Sequence, residues 1–175
     1  DEPFSNLDIN LRKHICNYTL ETLKKNNIPF IFVTHDVEEA MSISDRIIVM
    51  KKGKILQMDS PKKLYNTPNN KCVANMLGST NQFEIKADAK GKLFTPFGSV
   101  SCNKCTSINK FCQQKKHFCI IRPENIIISK RGVKAKVINK YFLGASWAYQ
   151  LDLGAKFPIL NITNCKKELK KNQYI

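Results

Sequence analysis

Two carboxylates and one histidine are the side chains of this chain best suited to hydrolysing a phosphate ester. Asp1 and Glu2 lead into a short turn, and His35 follows the apolar residues 31–33. Phosphoryl transfer from a nucleotide needs a magnesium ion beside the β- and γ-phosphates and a group that orients the attacking water. Asp1 suits the ion, Glu2 suits the general base, and His35 suits stabilisation of the γ-phosphate. The ordered set therefore predicts a nucleotide-hydrolysis site.

A helix and then a strand are expected to position these groups. Asp8 is a good N-cap, and apolar residues recur at helical spacing over residues 11–23. The helix is expected to end at Asn26 and Asn27, before Pro29. Residues 30–33 are apolar at every position, which is typical of a strand covered on both faces of a parallel sheet. We therefore expect His35 to stand at the end of a buried strand.

Further helices and strands follow, and their order is α/β in character. Asp36 is expected to cap a second helix at residues 37–44, and residues 46–50 are expected to form another buried strand. A turn at residues 51–54 predicts a hairpin. Short helices are expected at residues 62–65, after Ser60 and Pro61, and at residues 71–77. A domain boundary is expected near residues 78–82.

From residue 82 onward the pattern changes to short alternating segments separated by turn residues, which predicts a small β-barrel or sandwich. The expected strands are residues 83–87, 93–95, 97–102, 118–122, 126–129, 133–142, 147–153 and 157–162. The polar residues 102–116 are expected to form a loop. The predicted fold class is thus α/β in residues 1–80, followed by a β-barrel-like domain in residues 81–175.

Composition excludes several classes of protein. With 42% apolar and 25% charged residues, the chain of 175 residues is typical of globular proteins. Its longest apolar run, residues 28–33, is far shorter than the roughly 20 residues of a membrane-spanning helix, and no signal peptide is evident. The net charge of +15 fits nucleic acid or anionic lipid, but its dispersed lysine pairs favour solvated surfaces instead.

Seven cysteines and no secretion signal indicate reduced thiols rather than a disulfide framework. The pair Cys102 and Cys105, followed by Cys112, His117 and Cys119, resembles a set of zinc ligands. Its spacing fits no standard finger, and a second CxxC is missing. Buried or incidental thiols are therefore the favoured interpretation.

Five segments resemble parts of the ABC transporter ATPases. The end of the Walker B motif and the D-loop of that family resemble DEPFSNLD, and its switch-histidine region resembles FVTHDVEEAMSISDRIIVMKKGKI. The connection to an accessory domain resembles QMDSPKKLYNTPNN. IIRPENIIIS and FLGASWAYQLDL resemble the C-terminal TOBE β-domain of importer ATPases of the iron(III), polyamine and sugar group. The resemblance implies that residues 1–80 are the C-terminal part of a P-loop ABC ATPase domain and that residues 81–175 are a TOBE-like, OB-like domain cut short at its end.

The resemblance also implies a role for each candidate residue. Asp1 would bind Mg²⁺ through water, Glu2 would polarise the attacking water as the catalytic glutamate, and His35 would act as the switch histidine at the γ-phosphate of ATP. Ser5 and Asp8 would belong to the D-loop, which crosses a dimer interface toward the partner's site. The family's phosphate-binding loop, glutamine loop and signature motif have no counterpart in the sequence, so we expect the segment alone to be inactive.

The implied protein is the ATP-hydrolysing subunit of an importer at the cytoplasmic face of the membrane. Its implied partners are a second ATPase subunit, membrane permease subunits and, indirectly, an extracytoplasmic solute-binding protein. Iron(III) is the first expectation for the solute, ahead of polyamines and sugars, and no nucleic-acid partner is expected. Alternatives of other classes are an ABC ATPase of DNA repair or translation, a basic nucleic-acid-binding β-barrel, and a truncated product whose residues 1–60 do not fold alone.

Overall fold

The computed structural model describes residues 8–87, 92–95, 97–101, 117–129, 131–154 and 157–175. The expected loop at residues 102–116 therefore lies outside the described residues. The chain divides into two units, Asp1–Gly78 and Ser79–Ile175. In its described part the chain is mixed α/β with small antiparallel sheets. No helix of the described residues is long and apolar enough to cross a membrane.

Helix α1, Ile9–Lys25, is the first described element of the first unit. Asp8 precedes it, and its carboxylate accepts a hydrogen bond from the Leu11 N–H at 3.0 Å, which satisfies one of the free N–H groups of the first turn. The chain leaves the helix at Asn27, whose φ of 52° is a left-handed conformation that asparagine tolerates. The predicted helix, its cap and its end are confirmed.

The prediction of a buried strand at residues 30–33 is wrong. This segment belongs to no strand; the side chains of Ile31 and Val33 are 94% and 51% exposed. A continuous apolar strand is buried only where neighbouring strands and covering helices enclose both of its faces. None of the described strands pairs with this segment, so three of its four apolar residues are exposed.

Helix α2, Val37–Ile43, leads into a hairpin of strands β1, Ile47–Lys51, and β2, Lys54–Asp59. Lys52 and Gly53 have φ values of 49° and 71°, as in the type I′ turns that suit the twist of two-residue hairpins. The predicted hairpin is confirmed. The predicted burial of β1 is wrong, because a two-stranded sheet covers little of either face and Ile48 and Met50 remain about half exposed.

Two short helices complete the first unit, α3 at Pro61–Asn66 and α4 at Lys71–Met76. Proline at the first position of α3 and the Asn70 cap of α4, which accepts from the Val73 N–H at 3.0 Å, explain where these helices begin. They pack against the hairpin around a small core, whose buried members are Val49, Leu64, Val73 and Leu77.

The described residues of the second unit form two antiparallel sheets. The first has the order β5–β4–β3–β6 and the second the order β7–β8–β9. In chain order the strands are β3 (Asn81–Ala87), β4 (Lys92–Thr95), β5 (Gly98–Ser101), β6 (His117–Ile121), β7 (Lys136–Phe142), β8 (Trp147–Asp152) and β9 (Leu160–Cys165). Their shared core includes Phe83, Val137, Tyr149, Leu151 and Ile162.

Several strands of the second unit differ from the prediction in their bounds or pairing. Residues 126–129 form no strand; they follow a 3₁₀ turn at Pro123–Asn125, and the Ile127 side chain is 82% exposed. The last residues of the chain pair with the segment before β7, because the N–H groups of Ala135 and Ile175 each donate to the other's carbonyl, at 3.0 and 2.9 Å. Strand β9 begins at Leu160 instead of residue 157. The alternation of apolar and polar residues does not by itself determine which segments pair as strands.

Candidate functional site

The structure describes two of the five predicted site residues, Asp8 and His35. Asp1, Glu2 and Ser5 lie outside the described residues, so their roles stay predictions. Asp8 stands at the beginning of α1, and His35 stands in the bend just before α2.

Asp8 is exposed, and its described contacts are those of a helix cap. Its carboxylate accepts from the Leu11 N–H, and its carbonyl accepts the first helical bond from the Arg12 N–H at 2.9 Å. An N-cap of this kind stabilises a helix by about 1 kcal/mol. Capping alone is enough to account for an aspartate here, and the D-loop role remains a separate prediction.

His35 occupies an exposed position between two residues whose polar groups are engaged in the start of α2. Asp36 is the N-cap, with Oδ1 accepting from the Glu39 N–H at 3.1 Å and its carbonyl accepting from the Ala40 N–H at 3.0 Å. The cap residue has φ −83° and ψ 109°, which is extended backbone. The chain therefore turns from an extended segment into a helix directly after His35.

Thr34 links the residue before His35 to the same helix. Its hydroxyl donates to the Glu39 carboxylate, with 2.9 Å between Oγ1 and Oε2. The hydroxyl oxygen accepts from the Asp36 N–H at 3.0 Å. In an ordinary capping box the glutamate at the third helical position would itself accept from the N–H of the cap residue. Here the threonine hydroxyl relays that interaction.

Sequence reasoning missed Thr34 and Glu39 as members of this site. The signal was present, because Asp36 and Glu39 have the spacing of a capping box. We name this set of three residues, Thr34, Asp36 and Glu39, the histidine clasp. All three side chains are partly buried, in contrast to the exposed His35 between them.

Helix α1 contributes a buried thiol near the clasp. Cys16 is only 4% exposed. Burial raises the pKa of the Cys16 thiol above its ordinary value of 9.0, and the negative charge of Glu39 raises this pKa further. A thiol held neutral in this way is a poor nucleophile and a poor metal ligand, so Cys16 serves packing.

The cysteine-rich segment offers no metal site among the residues that the structure describes. Cys102, Cys105 and Cys112 lie outside those residues. Burial raises the pKa of the Cys119 thiol, which disfavours the thiolate that binds metals. Within the described ranges, no three histidine, cysteine, aspartate or glutamate side chains come together as a metal-binding group.

Two buried polar residues of the second unit, Tyr149 and Arg122, have structural roles. Tyr149 is 1% exposed; its hydroxyl donates to the Lys167 carbonyl and accepts from the Leu169 N–H, both at 2.9 Å. Arg122 is 5% exposed and donates to the Ser79 carbonyl at 3.2 Å. Tyr149 therefore belongs to the core of the second unit, and Arg122 stands at the start of the 3₁₀ turn Pro123–Asn125.

Comparison with known proteins gives a consistent set of relatives, although no family model matches the chain. The chain is 35% identical over 178 residues to the spermidine/putrescine import ATP-binding protein PotA of Mesomycoplasma hyopneumoniae strain 232, covering 100% of the chain and 39% of the relative. PotA of Ureaplasma parvum serovar 3 is 37% identical over 150 residues, 84% of the chain and 28% of the relative. PotA of Clostridioides difficile strain 630 is 35% identical over 168 residues, 93% of the chain.

The chain thus spans only part of the length of these relatives, from 28% in the Ureaplasma protein to 47% in the Clostridioides protein. Each of the three is named as an ATP-binding protein of spermidine and putrescine import.

Proposed function

We propose that this chain forms part of the ATP-hydrolysing subunit of an ABC importer. The observation that carries the proposal is the similarity to ATP-binding import proteins, which extends over the whole chain in the Mesomycoplasma relative. The carboxylates at residues 1–2 and the histidine beyond α1 agree with that activity, because they supply the residue types that phosphoryl transfer requires.

In the proposed reaction, bound ATP and Mg²⁺ supply the phosphoryl group and the neutralising charge. A carboxylate such as Asp1 suits Mg²⁺, which prefers oxygen ligands and retains several waters. Glu2 orients the attacking water and takes its proton. His35 contacts the γ-phosphate, and its exposed place at the start of α2 leaves the residue accessible to a nucleotide.

The solute is proposed to be a polyamine. Spermidine and putrescine are the solutes in the names of the relatives, and this favours the second expectation from the sequence over the first, iron(III). The ATP-hydrolysing subunit itself is expected to make no contact with the solute. Specificity would then depend on the permease and the solute-binding protein.

The proposed assembly contains two copies of the ATPase subunit, which close around two ATP molecules and drive membrane permease chains at the cytoplasmic face. Ser5 and Asp8 are proposed to lie in the loop that reaches the partner's site. The second unit is proposed to be the TOBE-like domain. Its two antiparallel sheets with one shared core support this, and closure into an OB-like barrel is part of the proposal.

A chimera tests the proposal. The part of Mesomycoplasma hyopneumoniae PotA that precedes its match to this chain is joined before Asp1. The product is expressed in cells that lack polyamine and iron(III) importers, either with a polyamine permease and solute-binding protein or with those of an iron(III) importer. We expect uptake of labelled spermidine in the first set of cells, lost in the Glu2→Gln variant, and no uptake of iron(III) in the second. Iron(III) uptake without spermidine uptake would show that the solute is iron(III) and not a polyamine. A folded chimera that neither hydrolyses ATP nor supports uptake would overturn the proposed function.

A further inference from the structure

The clasp around His35 has a geometry that an ordinary helix cap does not need. Asp36 alone caps α2 through its bond to the Glu39 N–H at 3.1 Å. The Thr34 hydroxyl adds two more hydrogen bonds, one to the Glu39 carboxylate at 2.9 Å and one from the Asp36 N–H at 3.0 Å. These bonds join the residue before His35 and the residue after it to the same turn of helix.

These hydrogen bonds restrict the backbone of His35, which lies between Thr34 and Asp36. With Thr34 and Asp36 both tied to Glu39, the peptide units on each side of His35 lose most of their freedom. The carboxylate accepts a charge-assisted bond, which is stronger than a bond between neutral groups. The clasp is partly buried, so water competes less for its members than it does at a fully exposed cap.

We propose that Thr34 and Glu39 are positioning residues for His35. They hold the backbone of His35 in place, so that the imidazole reaches the γ-phosphate without a further change of conformation. This inference rests on the proposed function, because it assigns the clasp to the phosphate-contacting histidine. Glu39 acts on His35 through the Thr34 hydroxyl, which donates to its carboxylate. Catalytic groups must be held within a fraction of an ångström by supporting residues, and the clasp supplies that support.

The chain offers a matched control beside Glu39. Glu38 is also acidic and also lies in the first turn of α2, but its side chain is exposed. Removing either glutamate takes the same charge from the start of the same helix. Only the loss of Glu39 opens the clasp.

The first experiment uses NMR of the chain itself and needs no enzymatic activity. We expect the Asp36 amide to exchange with solvent about tenfold faster in Thr34→Val and Glu39→Ala than in the parent chain, and the His35 ring resonances to shift. Glu38→Ala should leave both unchanged. Thr34→Ser should give the parent values and Glu39→Gln should come close to them, because each keeps the required hydroxyl or carbonyl oxygen and only the second loses the charge. Equal effects of Glu38→Ala and Glu39→Ala would overturn the clasp.

The second experiment measures ATP hydrolysis by the chimera described above. A misplaced catalytic group costs up to about 100-fold in rate, so Thr34→Val and Glu39→Ala should lower kcat by about 10- to 100-fold with little change in KM, and Glu39→Gln should recover most of kcat. A lowered kcat in Glu38→Ala to the same degree, or an unchanged kcat in Glu39→Ala, would overturn the positioning role. If His35→Ala itself retains full kcat, the proposed function of His35 fails, whereas the NMR result still decides whether the clasp exists.

Discussion

The side-chain amide of Asn81 pairs with the main chain of Asn161 as a neighbouring strand would. Its Oδ1 accepts from the Asn161 N–H and its Nδ2 donates to the Asn161 carbonyl, both at 2.7 Å. Asn81 begins β3 in one sheet of the second unit, and Asn161 lies in β9, at the edge of the other sheet. The amide is 3% exposed, so this residue joins the two sheets and satisfies the polar groups of an edge strand.

Loss of that amide should destabilise the second unit. In Asn81→Ala the N–H and the carbonyl of Asn161 lose their partner, and each unsatisfied buried group costs about 1–3 kcal/mol. Urea unfolding can be followed by fluorescence, because the single tryptophan of the chain is Trp147, in β8 of this unit. A free energy of unfolding equal to that of the parent chain would show that the amide pair contributes nothing.

The buried hydroxyl of Tyr149 makes a second measurable contribution. Tyr149→Phe removes a donor to the Lys167 carbonyl and an acceptor for the Leu169 N–H, and we expect a loss of about 1–3 kcal/mol in the free energy of unfolding. Tyr141→Phe is the control, because Tyr141 is 50% exposed and its hydroxyl reaches Gln150 only at 3.4 Å. The control should change stability by less than about 0.5 kcal/mol. Equal losses in the two variants would contradict the assignment.

The cap of α1 predicts a difference between two substitutions of Asp8. Asp8→Ala should lower the stability of α1 by about 1 kcal/mol, whereas Asp8→Asn should change it little, because asparagine caps equally well. Amide hydrogen exchange over residues 9–25 measures both. The asparagine variant also isolates the proposed D-loop role, since it removes the charge and keeps the cap. Equal exchange in the alanine variant and the parent would exclude the cap.

Burial of Cys16 predicts how the first unit responds to alkaline pH. Because the folded-state pKa of this thiol is raised above its ordinary value of 9.0, the unfolded chain releases the proton first. The contribution of the neutral thiol is therefore complete below pH 9.0 and is lost as pH rises through the folded-state pKa. The slope cannot exceed about 1.4 kcal/mol per pH unit. Urea unfolding followed by circular dichroism should show a steeper alkaline decline in the parent than in Cys16→Ala, and identical slopes would contradict the shift.

A substitution in the apolar segment of residues 30–33 tests whether the segment is exposed, as in the structure, or buried, as its composition predicts. Ile31 is 94% exposed, so Ile31→Lys should change the free energy of unfolding by less than about 0.5 kcal/mol. It should also reduce self-association, which contiguous exposed apolar residues promote. Sedimentation velocity of the parent and the variant measures this. Had the segment been the buried strand that its composition predicts, the added charge would have cost several kcal/mol.

The sequence predicted most local structure in the described residues, because local chemistry determines it. The Asp8 cap, the turn at Gly53 and proline at the start of α3 are all specified by neighbours in the chain. The exposure of residues 30–33 was not predictable in this way, since burial of an apolar segment depends on whether other strands pair with it. The same holds for the pairing of Ile175 with Ala135, which joins residues distant in sequence.

For the candidate site, the sequence suggested a chemistry that stays a prediction, and it did not reveal the contacts that support His35. The residue types of Asp1, Glu2 and His35 suggested hydrolysis, but only coordinates reveal that the Thr34 hydroxyl relays the bond between Glu39 and Asp36. A capping box can be recognised from spacing. The insertion of a third side chain into it cannot, because this depends on the rotamer of Thr34.

The central claim is that Glu2 and His35 act on the terminal phosphate of ATP. Single-turnover hydrolysis of γ-labelled ATP by the chimera tests it most directly, with the parent, Glu2→Gln and His35→Ala compared at saturating nucleotide. We predict that both variants bind ATP as the parent does and that each releases phosphate at least about 100-fold more slowly. Phosphate release at the parent rate from either variant would contradict the claim.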